Sequence, residues 1–217
     1  FEDAFRGSEE EILERNKSYM DYFNEGEVVL DIGCGRGETL KLLQSKGVKA
    51  KGVDINSKMV ELCHEKGLEV KEMDCINALR QEEDESLDGI ISIQVVEHLS
   101  LQDLLEFVKL SSKKLKKEGL LLLETVNPLT LGVFCYGFYI DPTHKQPIHP
   151  AMLRFMMEQE GFKTDPIQFV NEFPREYKLL IDEEMTDTLR NNYEKLNNQI
   201  YGYQDYYIIG RRNYDDV

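Results

Sequence analysis

The feature that most constrains this chain is an apolar run, residues 28–32, that leads directly into Gly33, Gly35 and Gly37. Glycine is favoured where a backbone turns tightly and a ligand comes close, and a helix that begins behind such a turn presents free N–H groups. The next apolar run ends in Asp54, about 20 residues further on, where a carboxylate suits the two hydroxyls of a ribose. The pattern therefore predicts a site for a nucleotide-type cofactor.

Charge narrows the class of partner. The 26 basic and 41 acidic residues give a formal net charge of −15, and such a surface repels phosphate backbones and anionic lipid. We therefore expect no nucleic-acid partner. One basic cluster lies at the end of a predicted helix, where cations suit the helix dipole, so we interpret it as a solvated helix end. It comprises Lys113, Lys114, Lys116 and Lys117.

The cysteines and the apolar runs bear on location. The four cysteines show no C-x-x-C pair and no regular spacing, which favours reduced thiols and a cytoplasmic protein. No apolar run approaches the roughly 18 residues of a membrane span, and residues 1–3 do not resemble a signal peptide. The chain begins without Met, so whether it is part of a longer protein stays open, as does its oligomeric state.

Strands and helices alternate after a first predicted helix of about 15 residues, whose start is marked by a capping box of Ser8 and Glu11. Ser57 and Ser100 are predicted to cap two later helices. The predicted strands are 27–32, 49–54, 68–73, 87–95 and 119–125, and the helices between them are 37–46, 58–66, 76–81 and 101–113.

This alternation predicts a doubly wound α/β fold. Nearly continuous apolar strands such as 90–93 and 120–123 indicate a buried parallel sheet with helices on both faces. Ligands of such sheets bind beyond the carboxyl ends of the strands. We therefore expect the residues that follow four of the strands to line one crevice. These are 31–37, 54, 94–98 and 124–128.

The pattern changes after residue 125. An aromatic run at 134–139, which we interpret as core, is followed by a proline-rich loop at 141–150. Pro150 suits the first turn of a helix that ends at Gly161. Further along we predict a strand at 162–170, a polar helix at 182–199 and a last strand at 205–210, with the last two strands completing the sheet edge.

The glycine spacing separates two cofactor classes. The dinucleotide fingerprint G-x-G-x-x-G/A requires Gly or Ala at the position of Glu38. Asp31 lies two residues before Gly33, where its carboxylate can approach a cationic amino-acid group but repels a pyrophosphate. An NAD(P)-dependent oxidoreductase is therefore disfavoured. A non-catalytic cofactor-binding regulatory module stays open, since spacing alone identifies no base or nucleophile.

At this point the chain resembles the class I S-adenosylmethionine-dependent methyltransferases. The resemblance covers about residues 27–126, and the last strand continues it. The segments that carry it are 29–37, 52–55, 73–75, 87–91, 96–99 and 115–120. Together with the alternation, it implies an α/β, Rossmann-like, doubly wound, mostly parallel seven-stranded sheet with helices on both faces and an antiparallel last strand. We expect a single domain over 1–217, with a leading helix at 1–25, a cofactor half at 26–126 and a substrate half at 127–217.

The resemblance also implies S-adenosylmethionine as the cofactor and S-adenosylhomocysteine as its product. Asp54 would hold the ribose, Ile55 would pack on the adenine, and Gln94 would close the sulfonium side. Asp74 or the backbone of Cys75 would meet the adenine amino group, although Asp74 also reads as a helix cap. The cofactor-binding residues are thus predicted to be Arg6, Asp31, Gly33, Cys34, Gly35, Gly37, Asp54, Ile55, Asp74, Cys75 and Gln94.

Methyl transfer to a hydroxyl needs an aligned acceptor and a base, for which histidine is the usual residue. His98 follows the fourth strand, while Asp141 and His144 lie in the proline-rich loop, and these three are the predicted catalytic residues. A packing role for His98 and a turn at 141–144 are the alternatives. We predict no metal, because a His144–His149 pair lacks a clear third ligand.

Residues 5–8, 95–98, 139–150 and 204–210 resemble a narrower group, the methyltransferases of bacterial and archaeal polysaccharide synthesis. That resemblance implies that Arg6 approaches the cofactor carboxylate and that the predicted catalytic residues face a sugar hydroxyl or a sugar phosphate. The sequence therefore predicts methyl transfer to a small-molecule or saccharide acceptor, at an oxygen.

Overall fold

One eight-stranded sheet organises the protein, of which a computed structural model describes residues 7–213. The strands are β1 (Val28–Ile32), β2 (Lys49–Asp54), β3 (Val70–Glu72), β4 (Leu87–Ile93), β5 (Leu115–Val126), β6 (Phe162–Thr164), β7 (Gln168–Glu172) and β8 (Tyr203–Arg212). Their order is β3-β2-β1-β4-β5-β8-β6, and β7 also pairs with β8. The first five strands are parallel, and β8 runs antiparallel to its neighbours.

The helices cover both faces of this sheet. They are α1 (Glu9–Asn16), α2 (Glu38–Ser45), α3 (Ser57–Glu65), α4 (Cys75–Gln81), α5 (Leu101–Lys114), α6 (Leu131–Tyr136), α7 (Pro150–Gln159) and α8 (Asp187–Ile200). One core joins the sheet to α4, α5 and α7, and the other joins it to α2, α3 and the 3-10 turn that follows α1. Successive residues of a strand enter different cores, as Leu121 and Leu122 of β5 do, because strand side chains alternate between faces. The predicted doubly wound architecture is confirmed.

The helix starts follow local capping chemistry. Ser8 accepts the Glu11 N–H at 3.2 Å, and the Glu11 carboxylate accepts the Ser8 N–H at 2.8 Å, which confirms the predicted capping box. Ser100 caps α5 as predicted. The predicted cap at Ser57 is wrong, because the side chain of Asn56 accepts the Lys58 N–H and Ser57 is the first helical residue.

The C-terminal strands differ from the prediction. The predicted strand over 162–170 is two strands, β6 and β7, with Pro166 between them. Proline has no N–H for the ladder, so the chain leaves the sheet there and the strand count rises from seven to eight. The two predicted strands do complete one end of the sheet, with β8 paired to β5 on one side and to β6 and β7 on the other. The apolar sequence of β8 predicts a strand, but it does not indicate which strands pair with it.

Aspartate side chains form ion pairs with lysines of the basic cluster at the end of α5. Lys113 and Lys114 pair with Asp84 at 3.1 and 2.7 Å, and Lys116 pairs with Asp88 at 2.8 Å. Lys114 is buried, so its interpretation as a solvated helix end is wrong. Two carboxylates therefore offset part of the positive charge of this cluster. Among the helices within residues 7–213, none is long and apolar enough to cross a bilayer.

One buried hydroxyl attaches β8 to the segment before α7. The side chain of Tyr206 is fully buried, and its hydroxyl donates to the Ile148 carbonyl at 2.8 Å. This bond fixes the end of the proline-rich loop, which carries two of the predicted catalytic residues.

Tyr206→Phe should lower the free energy of unfolding by about 1–3 kcal/mol, because the Ile148 carbonyl loses its buried donor. Tyr203→Phe on the same strand is the matched control, since that side chain is 44% exposed and should change stability by less than about 0.5 kcal/mol. Urea unfolding followed by circular dichroism measures both. Equal shifts in the two variants would contradict the assigned bond.

Candidate active site

The glycine loop lies at the carboxyl end of β1 and contacts the ends of two neighbouring strands. Gly33, Gly35 and Gly37 have positive φ angles of 72°, 52° and 83°, a region that favours glycine. The N–H groups of Gly33 and Cys34 both donate to the Val53 carbonyl at the end of β2. A Cβ on Gly33 would lie 2.3 Å from a methyl of Val95, just after β4. The loop thus requires glycine for both its conformation and its close packing.

Asp54 connects the end of β2 to this loop. Its carboxylate accepts the Gly35 N–H at 2.8 Å and the Asn56 N–H at 2.8 Å. Asp54 is therefore not the cap of α3, which is Asn56. Each oxygen keeps a further lone pair, so the carboxylate can still accept hydrogen bonds from a ligand. Next to it, Ile55 is 75% exposed, which is unusual for a large apolar side chain at a strand end.

The other predicted cofactor residues follow their strands. Asp31 and Cys34 are buried at the end of β1, and Cys75 is buried in the first turn of α4. Asp74 caps α4 by accepting the Asn77 N–H at 2.9 Å, and that bond holds the pKa of Asp74 below its usual range. The capping alternative for Asp74 is therefore present in the structure. Arg6 lies outside the described residues.

An ion pair that the sequence pattern did not predict stabilises the loop. The Arg36 guanidinium contacts the Glu38 carboxylate at 2.7 Å, and both side chains are buried. Arg36 also donates to the Gly7 carbonyl at 2.9 Å, which attaches the segment before α1 to the loop. The sequence signal that could have predicted this ion pair is the presence of opposite charges two residues apart in the glycine loop.

Gln94 follows β4 and has a left-handed backbone, with φ of 56°. Such a conformation is uncommon for a residue other than glycine and persists only where the surroundings hold it. The Gln94 N–H donates to the Glu124 carbonyl, and its side-chain amide donates to the carboxylates of Glu124 at 3.2 Å and Asp205 at 2.9 Å. Gln94 thus links β4, β5 and β8 at the crevice.

Glu124 and Asp205 form a pair of buried acids beside Gln94. Burial raises the pKa of both carboxyls above their usual range, and the nearby Asp205 raises that of Glu124 further. Tyr19 donates its hydroxyl to Glu124, and the Asn171 amide donates to Asp205 at 2.5 Å. The sequence placed Glu124 in a predicted crevice segment only because this residue follows a buried apolar strand. Asp205 lies beside it because β8 pairs with β5.

A cavity of about 160 Å³ opens beside Asp205. Its polar lining comes from Arg15, Asn171, Gln204 and Asp205, and its apolar lining from Val126, Val133, Tyr136, Gly137, Phe138 and Phe173. The aromatic run at 134–139 is only partly core. Phe138 is buried, whereas Tyr136 and Tyr139 are 50% and 74% exposed, so that interpretation is correct for Phe138 and wrong for the two tyrosines.

The three predicted catalytic residues lie together. The rings of His98 and His144 are 4.6 Å apart between centroids, and His144 Nε2 lies 3.9 Å from Asp141. Thr143 Oγ1 contacts His98 Nδ1 at 2.9 Å and donates to Asp141 at 2.6 Å. Asp141 also accepts the Thr143 N–H, so the predicted turn is present within the same cluster. His144 packs on Phe138, which lines the cavity.

Glu97 joins these residues, and the sequence pattern did not predict its role. Its side chain is fully buried, one carboxylate oxygen accepts the Thr125 hydroxyl at 2.8 Å, and burial raises the pKa of Glu97 to about 8. One potential ligand atom from each of Glu97, His98 and His144 lies within 4.8 Å of the other two. His149 is separate, because its side chain caps α7 through the Ala151 N–H.

The charge states in this cluster follow from the surroundings. Burial, together with the nearby His144, lowers the pKa of His98, so its ring is neutral around pH 7. Burial alone would raise the pKa of Asp141. Hydrogen bonds from Thr143 and the electrostatic effect of the two histidines outweigh burial, so the net shift of this pKa is downward. The cluster therefore combines a neutral imidazole at His98 with an ionised carboxylate at Asp141.

Comparison with known proteins identifies this arrangement. Residues 5–166 match the family model described as "Methyltransferase domain". A crystal structure of an S-adenosylmethionine-dependent methyltransferase from Archaeoglobus fulgidus is 39% identical, with a TM-score of 0.91 over 98% of each chain. This chain belongs to the S-adenosylmethionine-dependent methyltransferases. The methyltransferase fold and its cofactor class are thereby confirmed, and the oxidoreductase alternative is wrong.

Relatives of known activity match only part of this methyltransferase. An Agrobacterium fabrum ubiquinone biosynthesis O-methyltransferase is 34% identical over 107 residues, which are 48% of this chain and 42% of that protein. An Arabidopsis thaliana tRNA (carboxymethyluridine(34)-5-O)-methyltransferase is 36% identical over 86 residues, 40% of this chain and 20% of that protein. The chain thus matches less than half the length of these relatives, which differ from one another in acceptor.

The buried acid of the cluster should make stability depend on pH. Glu97 keeps its proton up to about pH 8 in the folded protein, whereas the unfolded chain loses it near its ordinary value of 4.5. Between these values the folded state binds more protons than the unfolded chain. The free energy of unfolding should therefore fall as the pH rises through this window, by several times the roughly 1.4 kcal/mol that corresponds to one pKa unit. Glu97→Gln should flatten this dependence, measured by urea unfolding at pH 5 to 8 in metal-free buffer.

Glu69→Gln, at an exposed position, is the control for this measurement and should leave the pH dependence as in the wild type. Identical pH dependence in Glu97→Gln and the wild type would show that Glu97 is ionised when buried.

Proposed function

We propose that this methyltransferase moves the methyl group of S-adenosylmethionine to an oxygen atom of a small-molecule acceptor. The observation that carries the proposal is the cluster of His98, Asp141 and His144, which adjoins the cavity through Phe138. When bound, the cofactor supplies an electrophilic methyl group on a sulfonium. The protein must align the acceptor with that methyl, exclude water and remove the acceptor proton.

The residues of the first half fit the cofactor. Asp54 has lone pairs available for two ribose hydroxyls, and the exposed side chain of Ile55 offers an apolar surface for an adenine. The loop at 33–37, with Asp31 beside it, is the proposed position of the methionine moiety. Gln94 faces the sulfonium side, where Glu124 and Asp205 hold its side chain.

We also propose roles for three further cofactor-binding residues predicted from the sequence. Cys75 would meet the adenine amino group through its backbone, with Asp74 bordering that position while capping α4. Arg6 would approach the cofactor carboxylate, at a position outside the described residues.

The acceptor would occupy the cavity beside Asp205. A neutral His98 can accept the proton of an acceptor hydroxyl, since its lowered pKa leaves a nitrogen lone pair free near pH 7. Thr143 bonds the other ring nitrogen and is itself held by Asp141, which orients the imidazole. In this proposal His98 is the catalytic base, and Asp141 acts through Thr143 as a positioning residue.

The size and charge of the acceptor follow from the surroundings. The aromatic lining of the cavity suits a small, partly apolar molecule, and the ubiquinone relative is an O-methyltransferase by name. The net charge of −15 opposes an RNA acceptor, and aspartates pair with three of the lysines near the end of α5, although another relative is named for tRNA. A saccharide acceptor rests only on the sequence resemblance of residues 5–8, 95–98, 139–150 and 204–210. All four cysteines carry free thiols, which supports the proposal of a cytoplasmic protein. One sheet that includes strands from both halves of the chain supports the proposal of a single domain.

Asp54→Ala should weaken the binding of S-adenosylmethionine and S-adenosylhomocysteine at least about tenfold, because a charged hydrogen-bond acceptor worth about 1.5–3 kcal/mol is lost. Isothermal titration calorimetry measures both dissociation constants. Asp21→Ala, at an exposed position outside the loop, should bind as the wild type does. Unchanged affinity in Asp54→Ala would place the ribose elsewhere.

The acceptor proposal is tested by release of S-adenosylhomocysteine with a panel of phenols, sugars, small amines and tRNA. We expect turnover with a hydroxylated small molecule. On that acceptor, His98→Ala should lower kcat by about 10²–10⁴ without weakening S-adenosylhomocysteine, because the base and not the cofactor site is lost. His64→Ala is the control, since His64 bonds the Val70 carbonyl away from the cluster. Turnover with tRNA alone, or full activity of His98→Ala, would contradict the proposal.

A further inference from the structure

Three side chains, one of which packs on the cavity-lining Phe138, have the composition of a metal site. Glu97 and His98 come from the 3-10 turn after β4, and His144 comes from the proline-rich loop. One potential ligand atom from each lies within 4.8 Å of the other two. We infer that Glu97, His98 and His144 bind a divalent transition-metal ion at the wall of the acceptor cavity.

The hydrogen bonds of both histidines leave one nitrogen of each ring for a metal. His144 Nδ1 lies 2.7 Å from the Phe138 carbonyl, which only accepts, so Nδ1 carries the proton and Nε2 has the lone pair. Thr143 donates its hydroxyl hydrogen to Asp141 and therefore accepts from His98 Nδ1. Metal-binding histidines commonly donate their other N–H to a carbonyl or a carboxylate-linked group in this way.

Glu97 supplies the independent observation. Its fully buried carboxylate accepts the Thr125 hydroxyl through Oε2, whereas Oε1 accepts no hydrogen bond from any residue of the described part of the chain. A buried carboxyl oxygen without a partner is costly, and a cation that replaces the carboxyl proton removes that cost. This carboxylate lies with the two histidines in one group of potential ligand atoms.

The donor set selects the class of cation. Two imidazoles and one carboxylate suit Zn²⁺, Mn²⁺, Fe²⁺ or Co²⁺, whereas Mg²⁺ prefers oxygen ligands. Bonds of about 2.0–2.2 Å bring tetrahedral ligands to about 3.4 Å from one another, so the ligand atoms need to approach by at most about 1.4 Å. Three protein ligands leave a position open to an oxygen of another molecule.

The open position also has a catalytic role, and this part of the inference rests on the proposed function. A dication lowers the pKa of an oxygen ligand. An acceptor hydroxyl bound there would release its proton to solvent, with His98 holding the ion instead of taking that proton. The oxygen would keep the electron pair that forms the bond to the methyl carbon, while the bond from that carbon to the sulfonium sulfur breaks and its electron pair stays on the sulfur.

The test is a titration of the full chain, freed of any affinity tag and treated with a chelator, with ZnCl₂ by calorimetry and with CoCl₂ by visible absorption. We expect one ion per chain. His98→Ala, His144→Ala and Glu97→Gln should each lose at least about tenfold in affinity, and Thr143→Val, which removes a supporting hydroxyl, should also lose about 10- to 100-fold. His64→Ala is the matched control and should titrate as the wild type does.

Thermal unfolding with and without Zn²⁺ shows that each variant is folded, and the ion should raise the melting temperature of the wild type but not of Glu97→Gln. The site would be overturned if the wild type bound no stoichiometric ion, or if folded Glu97→Gln and His98→Ala variants bound Zn²⁺ as tightly as the wild type does. Binding of S-adenosylhomocysteine by the same metal-free preparation distinguishes this failure from failure of the proposed function.

Discussion

The close approach of the glycine loop to two strand ends is the constraint on which the rest of the site depends. Gly33 lies against Val95 with no room for a side chain, and the Val53 carbonyl accepts two N–H groups of the loop. These contacts bring the ends of β1, β2 and β4 together. Because His98 follows Val95 by three residues, the same contact sets the acceptor cluster next to the proposed cofactor position.

Local signals were sufficient for the cofactor half of the protein. Alternating apolar runs, positive-φ glycines and helix caps are properties of neighbouring residues, so the parallel sheet and the positions of Gly33 and Asp54 followed from the sequence. Even the error at Ser57 is one residue, since Asn56 competes for the same N-terminal N–H groups. Pro166 marked a break that a run of strand-forming residues concealed.

The acceptor side depends on contacts between distant residues. Glu97 and His98 meet His144 across more than forty residues of chain, and Asp205 meets Gln94 across 111 residues. No local periodicity encodes these meetings, because they arise from the insertion of β8 and the path of the proline-rich loop. The histidines were recognised as candidates by residue type, whereas Glu97 appeared only as their neighbour. Its burial and its free oxygen are tertiary properties.

The position of β8 has a consequence for biosynthesis. Leu122 of β5 pairs with Ile209 of β8, so the central strand of two apolar cores has one unpaired edge until residues near 209 have left the ribosome. An exposed apolar strand edge is a template for association with other chains. The segment between β5 and β8 contains the proline-rich loop and the polar helix α8, and its length therefore sets how long this strand edge stays unpaired during synthesis.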